Sequence, residues 1–351
     1  MKSSLQWNAM RRTMLVTVLL VLATLSLPLV SEAAMAHSPT FPGNNNSLAN
    51  ATVVENPSKS WAIYKHLEEA TAQYYALDLK AGDRLYLNLI VPTHERWSGF
   101  QPEMVILGPF TDNNGTVPSS VEIPIGYGWR TVNSSFPDGA TYESFSPGTF
   151  LNLATFDEHV AADGRYYVVV FQDVPLAPVH GDYGLAVGYV ESFTLAEFIL
   201  IPFSLLNVYQ WEGQSLAQVF APMVAVFLVG LSGLYLWRKD TLVQMGATQG
   251  SALISGLLFL GTASNTIIQT LLAISQAGLV AEVLVTLIFI VTPLLIGWFA
   301  IRMALSVRSP WGKRRRVVLF IIGILGLVSW GGLIVGPMIA MVGSILPGEP
   351  R

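Results

Sequence analysis

The feature that most constrains this chain is the run from Ala217 to Trp237, 21 residues without a charge, closed by Arg238 and Lys239. At 1.5 Å per helical residue it matches the roughly 30 Å hydrocarbon layer of a bilayer, so it predicts a membrane-crossing helix. Three further uncharged runs follow, at 251–276, 283–301 and 317–346. With 52% hydrophobic and 12% charged residues, against about 25% charged in ordinary soluble domains, the chain reads as partly lipid-embedded. The expected fold class is an all-β sandwich, jelly-roll-like and exported, followed by an α-helical membrane domain of four transmembrane helices.

Charge between the runs orients them. Arg238 and Lys239 follow the first run, and Arg302, Arg308, Lys313, Arg314, Arg315 and Arg316 follow the third, whereas the opposite loop carries Glu282 alone. By the positive-inside rule the loops 238–250 and 302–316 are cytoplasmic. Four crossings then place the domain before the first run, and the C-terminus, outside the cytoplasm. The expected location is a cell membrane, with the lipid bilayer as first partner and another membrane or extracytoplasmic protein as a second.

Residues 1–36 have Arg11 and Arg12, an apolar run from Met14 to Val30, and Ala34 and Ala36 around Met35. This predicts a signal peptide with an A-x-A cleavage site; a retained anchor is the competing reading, and either one exports the next domain. Residues 37–59, rich in Pro, Asn, Gly and Ser, read as an extended lead-in. From 60 to 192 short alternating or aromatic runs bounded by turn residues predict strands at 61–66, 73–79, 84–91, 104–107, 121–124, 149–153, 165–172 and 183–190. In 84–91, Leu85, Leu87, Leu89 and Val91 share one face, which alternation at period two assigns to a core. Residues 193–212, apolar but short and interrupted by Pro202, predict a helix lying at the membrane surface, with a re-entrant segment as the alternative.

The stretches Tyr75–Leu85 (YALDLKAGDRL), Met104–Pro109 (MVILGP), Asp163–Val170 (DGRYYVVV) and Gly181–Val187 (GDYGLAV) resemble the ordered strands of bacterial pre-peptidase C-terminal (PPC-like) domains, over roughly residues 60 to 190. That resemblance implies a β-sandwich that serves as an accessory binding or solubilising module. Here its neighbour is a membrane bundle, not a peptidase.

Chemistry is sparser. No cysteine occurs, which excludes disulfides, thiolate catalysis and Cys-ligated metals. No G-x-S-x-G and no phosphate-binding Gly loop is present, so no catalytic residue is assigned and the protein is read as a non-enzyme without a cofactor. Residues 37–192 carry 17 Asp/Glu against 7 Lys/Arg, a net −10, which argues against nucleic acid. One metal alternative stands out. Cleavage after Ala36 would make His37 the mature N-terminus, whose amine and imidazole can chelate copper with a second histidine from His94, His159 or His180. Asn265 and Gln269 lie one turn apart in the second run and either line a polar path or bond neighbouring helices. Asn45, Asn50, Asn114 and Asn133 head N-x-[ST] sequons and are candidate glycosylation sites.

The expected function is therefore a multi-pass membrane protein presenting its sandwich as a binding or scaffolding module, with exposed rings such as Trp97 and Trp129 as contacts. The alternative is an extracytoplasmic copper-binding or redox-accessory protein that uses His37.

Overall fold

The structure, a computed structural model, describes residues 37–68, 72–172, 180–306 and 311–346. The signal-peptide reading and Arg308 lie outside them. Eleven strands form two sheets: β1 (Ser38–Thr40), β2 (Thr52–Val53), β3 (Trp61–Leu67), β4 (Ala72–Leu79), β5 (Arg84–Pro92), β6 (Glu103–Gly108), β7 (Gly128–Val132), β8 (Thr141–Glu143), β9 (Gly148–His159), β10 (Gly164–Phe171) and β11 (Gly181–Val187). One sheet runs β1-β3-β11-β5-β9-β8 and the other β2-β4-β10-β6-β7.

Alternation along the strands builds the core between these sheets. Leu85, Leu87, Leu89 and Val91 of β5 point inward beside Leu185 and Val187 of β11, and meet Leu77 of β4, Ile106 of β6 and Val168 and Val170 of β10. Polar atoms that cross this core are paired: the Tyr75 and Tyr183 hydroxyls are 2.5 Å apart, and Tyr183 donates to Gln73 Oε1 at 2.9 Å. β4 and β5 do not pair; the link that carries the chain from the five-stranded sheet to the six-stranded one turns at Gly82, whose φ of +89° is the left-handed region that glycine enters without strain.

Three sequence expectations change in this domain. Residues 37–59 are not a free lead-in: they supply β1, parallel to β3, and β2, parallel to β4. Edge strands are held by backbone hydrogen bonds, so their lack of apolar residues was no obstacle. Residues 121–124 are not a strand. Val121 and Ile123 instead join Leu48 and Val117 over Tyr74, Val105, Leu107, Val169 and Phe171 on the outer face of the five-stranded sheet. That cover buries β4 on both faces, which is why its sequence does not alternate. Conversely, β7 and β8 went unpredicted because Gly128–Val132 and Thr141–Glu143 are short and only partly buried.

Helices follow the sandwich: α2 (Leu195–Trp211), α3 (Leu216–Val243), α4 (Ala247–Ala277), α5 (Val283–Ser306), α6 (Lys313–Val328) and α7 (Val335–Ile345), with a one-turn α1 (Glu95–Ser98) inside the sandwich. Helix α2 is capped by Thr194, whose hydroxyl accepts from the Glu197 amide at 3.2 Å while Glu197 Oε2 accepts from the Thr194 amide at 2.7 Å. Helices α3, α4 and α5 are long and apolar enough to cross a membrane. Only 6% of the apolar window of α3 is buried, and Val224, Leu228, Val229 and Leu236 stand exposed, a surface that needs lipid to cover it. Helices α4 and α5 cross closely at Gly256 and Gly297, each occupying space in which the other's backbone leaves no room for a Cβ.

The expected fourth span, 317–346, is not one helix. It breaks at 329–334, where Trp330, Gly332 and Leu333 all take positive φ. Helix α6 has 16 residues and α7 only 11, about 24 and 16 Å, both short of a bilayer core. The two pack as an antiparallel hairpin, Gly323 against Pro337 and Met341, and the Arg316 guanidinium donates to the carbonyl of Leu346. The end of α7 therefore sits beside the basic start of α6. A single span would have carried Leu346 to the far side of the bundle from that basic start; the hairpin returns it.

Candidate functional site

The sandwich docks onto the helices through its β8 edge. Tyr142 Oη lies 2.7 Å from Thr286 Oγ1 of α5, and Thr286 donates to the carbonyl of Ser144 at 2.7 Å. Thr93 and Thr149 both donate to Gln276 Oε1 near the end of α4, at 2.6 and 2.9 Å. Helix α4, about 46 Å long at 31 residues, exceeds a bilayer core, so its last turns are free to carry these contacts. From the other side Trp211 of α2 donates to the carbonyl of Tyr183 at 3.0 Å and packs edge-on against Tyr64.

Two cavities lie in this seam. The larger, about 260 Å³, is lined by His37, Tyr64, Glu143 and Glu191 together with Phe145, Phe193, Phe198, Leu205, Phe289 and Trp330. The smaller, about 60 Å³, is lined by Pro202, Leu206, Met223, Thr262, Asn265 and Ser329. Phe145, Leu205, Phe289 and Trp330 border both. Trp330, at the tip of the α6–α7 hairpin, stacks on Phe289 at 4.8 Å and donates to the carbonyl of Phe198 at 3.1 Å. The left-handed turn that broke the expected span thus places an aromatic wall between sandwich and bundle.

Electrostatics around the larger cavity are set by burial. Burial pushes the Glu143 carboxyl up to about 7, with Glu191 adding repulsion and the Phe145 and Ser144 amides opposing. Burial likewise raises Glu212, beside Gly148, well above the ordinary carboxylate range, although the Thr149 amide donates to it. No Lys or Arg lines either cavity; Lys59, the nearby cation on the β1–β3 side, is paired with Glu197. His37 is held by Ser60 at 2.6 Å, and burial lowers its imidazole to about 4.

These positions sort the sequence candidates. Gln269 forms a reciprocal amide pair with Gln214 at 2.8 and 2.9 Å, tying the α2–α3 link to α4. Asn265 faces the smaller cavity, with its Oδ1 buried and without a hydrogen-bond partner. Asn45 is fully buried with its amide donated to Tyr74, a position no sugar can occupy, whereas Asn50, Asn114 and Asn133 are exposed. Trp97 is 88% exposed, and Trp129 donates to the carbonyl of Gly115. Arg314 and its neighbours open α6, and Arg302 lies over Trp298.

The metal candidates rearrange as well. Among the described residues, the one group of three potential ligands is His94, Glu95 and Asp182, and His37 is not in it. Tyr142 and the Glu95–Asp182 pair escaped the sequence reading because each is defined by a partner more than 80 residues away, and Glu143 because its burial comes from the docking of β8 on the helices. Only the adjacency of His94 and Glu95 was visible.

A β-sandwich followed by three membrane-length helices defines this chain as a membrane protein with a β domain. No protein-family model matches the chain, and no curated protein sequence matches it. Among solved structures it is similar to the periplasmic inhibitor of g-type lysozyme, PliG, from Aeromonas hydrophila, at 16% identity and a TM-score of 0.24 over 44% of this chain and 98% of that one. It is also similar to CorA, a surface-associated copper-binding protein of Methylomicrobium album BG8, at 10% identity and a TM-score of 0.21 over 40% of this chain and 98% of that one. Similarity at that level assigns no role.

Proposed function

We propose that this protein is a non-enzymatic, membrane-anchored binding protein whose PPC-like sandwich faces the extracytoplasmic side. Its ligand is an amphiphile held in the seam between sandwich and bundle. The observation that carries this reading is the shared wall: Phe145 comes from the sandwich, Leu205 from α2, Phe289 from α5 and Trp330 from the hairpin tip, so the cavities exist only when all four parts are docked. Their chemistry is a mostly apolar lining with a few polar groups, Glu143 among those of the larger cavity and the unpartnered Asn265 Oδ1 among those of the smaller. Binding sites for apolar ligands have this composition, mostly hydrophobic lining with a few placed polar groups. A lipid-like molecule with an uncharged or hydrogen-bond-donating head suits it, since the Asn265 Oδ1 accepts and no Lys or Arg among the described lining residues would receive an anionic head.

The test is native mass spectrometry of full-length protein extracted in a mild detergent, comparing wild type with Leu205→Trp, which fills the shared wall. Wild type should retain a lipid-sized adduct that Leu205→Trp loses while keeping its thermal unfolding temperature. Equal adduct on both proteins, or none on wild type in any detergent that preserves the fold, refutes the proposal.

A further inference from the structure

We infer that the sandwich carries a site for one borderline divalent transition ion, of the Zn(II) or Cu(II) kind, made by His94, Glu95 and Asp182 and supported by His66. This inference is independent of the seam cavity. The nearest donor atoms of His94, Glu95 and Asp182 all lie within 4.8 Å of one another, and His94 Nε2 is 3.6 Å from Glu95 Oε1. Metal bonds of about 2.0–2.2 Å in a tetrahedral site put donors roughly 3.3 Å apart. The His94–Glu95 pair is already near that spacing, and side-chain torsions of about an ångström bring in Asp182.

The group is held in place by the fold and is not a chance surface cluster. His94 and Glu95 sit where β5 leads into α1, and Asp182 opens β11, two segments 87 residues apart in sequence. The Asp182 amide donates to Glu95 Oε1 at 2.8 Å, and the Ser98 hydroxyl donates to Glu95 Oε2, which fixes a buried carboxylate. On the adjoining strand His66, cross-strand partner of Asp182, places Nδ1 2.8 Å from Asp182 Oδ1. That is the outer hydrogen bond by which a histidine or carboxylate orients a ligand in metal sites. Burial is graded from Glu95, buried, through Asp182 to exposed His94, leaving an open side for the ion and for the water that completes its coordination.

The donor set selects the ion. One imidazole and two carboxylates balance a divalent charge, and imidazole favours zinc, copper or nickel over magnesium and calcium. Calcium, which takes six to eight oxygens, has too few here. Thiolate-preferring ions have no ligand in a cysteine-free chain.

The experiment uses full-length, tag-free protein in detergent, stripped with chelator, then titrated with zinc chloride by isothermal calorimetry, with metal content read by mass spectrometry. One equivalent of zinc should bind. His94→Ala and Asp182→Asn should weaken it by more than about tenfold and His66→Ala by about tenfold, the size of effect seen when outer-sphere partners of metal ligands are removed. His37→Ala and His159→Ala should bind as wild type. No saturable zinc binding, or a binding constant unchanged in His94→Ala, overturns the inference; so does loss of binding in His37→Ala. His94 is exposed, so its replacement reports on ligation even if Asp182→Asn fails to fold.

Discussion

Glu143→Gln should remove a pH dependence of stability from this protein. The carboxyl goes from an ordinary 4.5 to about 7 in the fold because it is buried in the seam. The fold therefore prefers the neutral acid. Below about pH 4.5 both folded and unfolded chains hold the proton and nothing is lost. As pH rises from 4.5 through 7 the unfolded chain releases its proton first, so stability falls, and above 7 the loss is complete. At ~1.4 kcal/mol per pH unit the full difference is about 3 kcal/mol. Glu143 is only half-buried as a whole residue, and water entering the cavity screens its charge, so about 1–2 kcal/mol should be realised. The neighbouring groups His37, Tyr64, Glu191 and Glu212 remain in both proteins; Glu212, which the Glu143 charge helps to raise, loses that repulsion in the variant, which adds to the difference in the same direction. The assay is equilibrium unfolding of detergent-solubilised wild type and Glu143→Gln at pH 5 and pH 8. Wild type should lose about 1–2 kcal/mol more than the variant between those values. Parallel losses would refute the reasoning, because they would mean that the carboxyl titrates as it does in water.

Two further outcomes are expected of the helices. Gln269→Leu should destabilise the protein by about 1–2 kcal/mol, since it removes both bonds of the amide pair and leaves Gln214 only a 3.4 Å contact to Glu212 Oε2; in steric-trap or detergent unfolding the double variant Gln214→Leu/Gln269→Leu should recover part of that loss, and a neutral single variant would show that the amide pair does not hold α4. The absence of cysteine makes topology directly readable. Single cysteines at Gly312 and Leu346 should both resist a membrane-impermeant maleimide in intact cells while one at Asn133 reacts, and labelling of Leu346→Cys together with Asn133→Cys would contradict the hairpin.

Much of the architecture was legible along the chain. The alternation of Leu85, Leu87, Leu89 and Val91 assigned the inner face of β5, and the uncharged runs located α3, α4 and α5 to within a few residues. These features are local, because a strand shows its buried face every second residue and a membrane span shows its solvent in every residue. The fourth run misled for the same reason. An apolar hairpin packed in a bundle and an apolar span in lipid have the same hydropathy, and only the positive φ at Trp330, Gly332 and Leu333 separates them.

What the sequence by itself determined was the division of the chain into a polar β domain and a lipid-facing helical part, because hydrophobicity and charge are properties of each residue alone. The tertiary structure alone decided where chemistry can occur. Glu143 becomes a weak acid only when β8 docks on α5, Trp330 walls the seam only because α6 reverses into α7, and His94, Glu95 and Asp182 meet only when β5 and β11 lie side by side. Those properties depend on distances between residues far apart in the chain, and such distances exist only after folding has closed them.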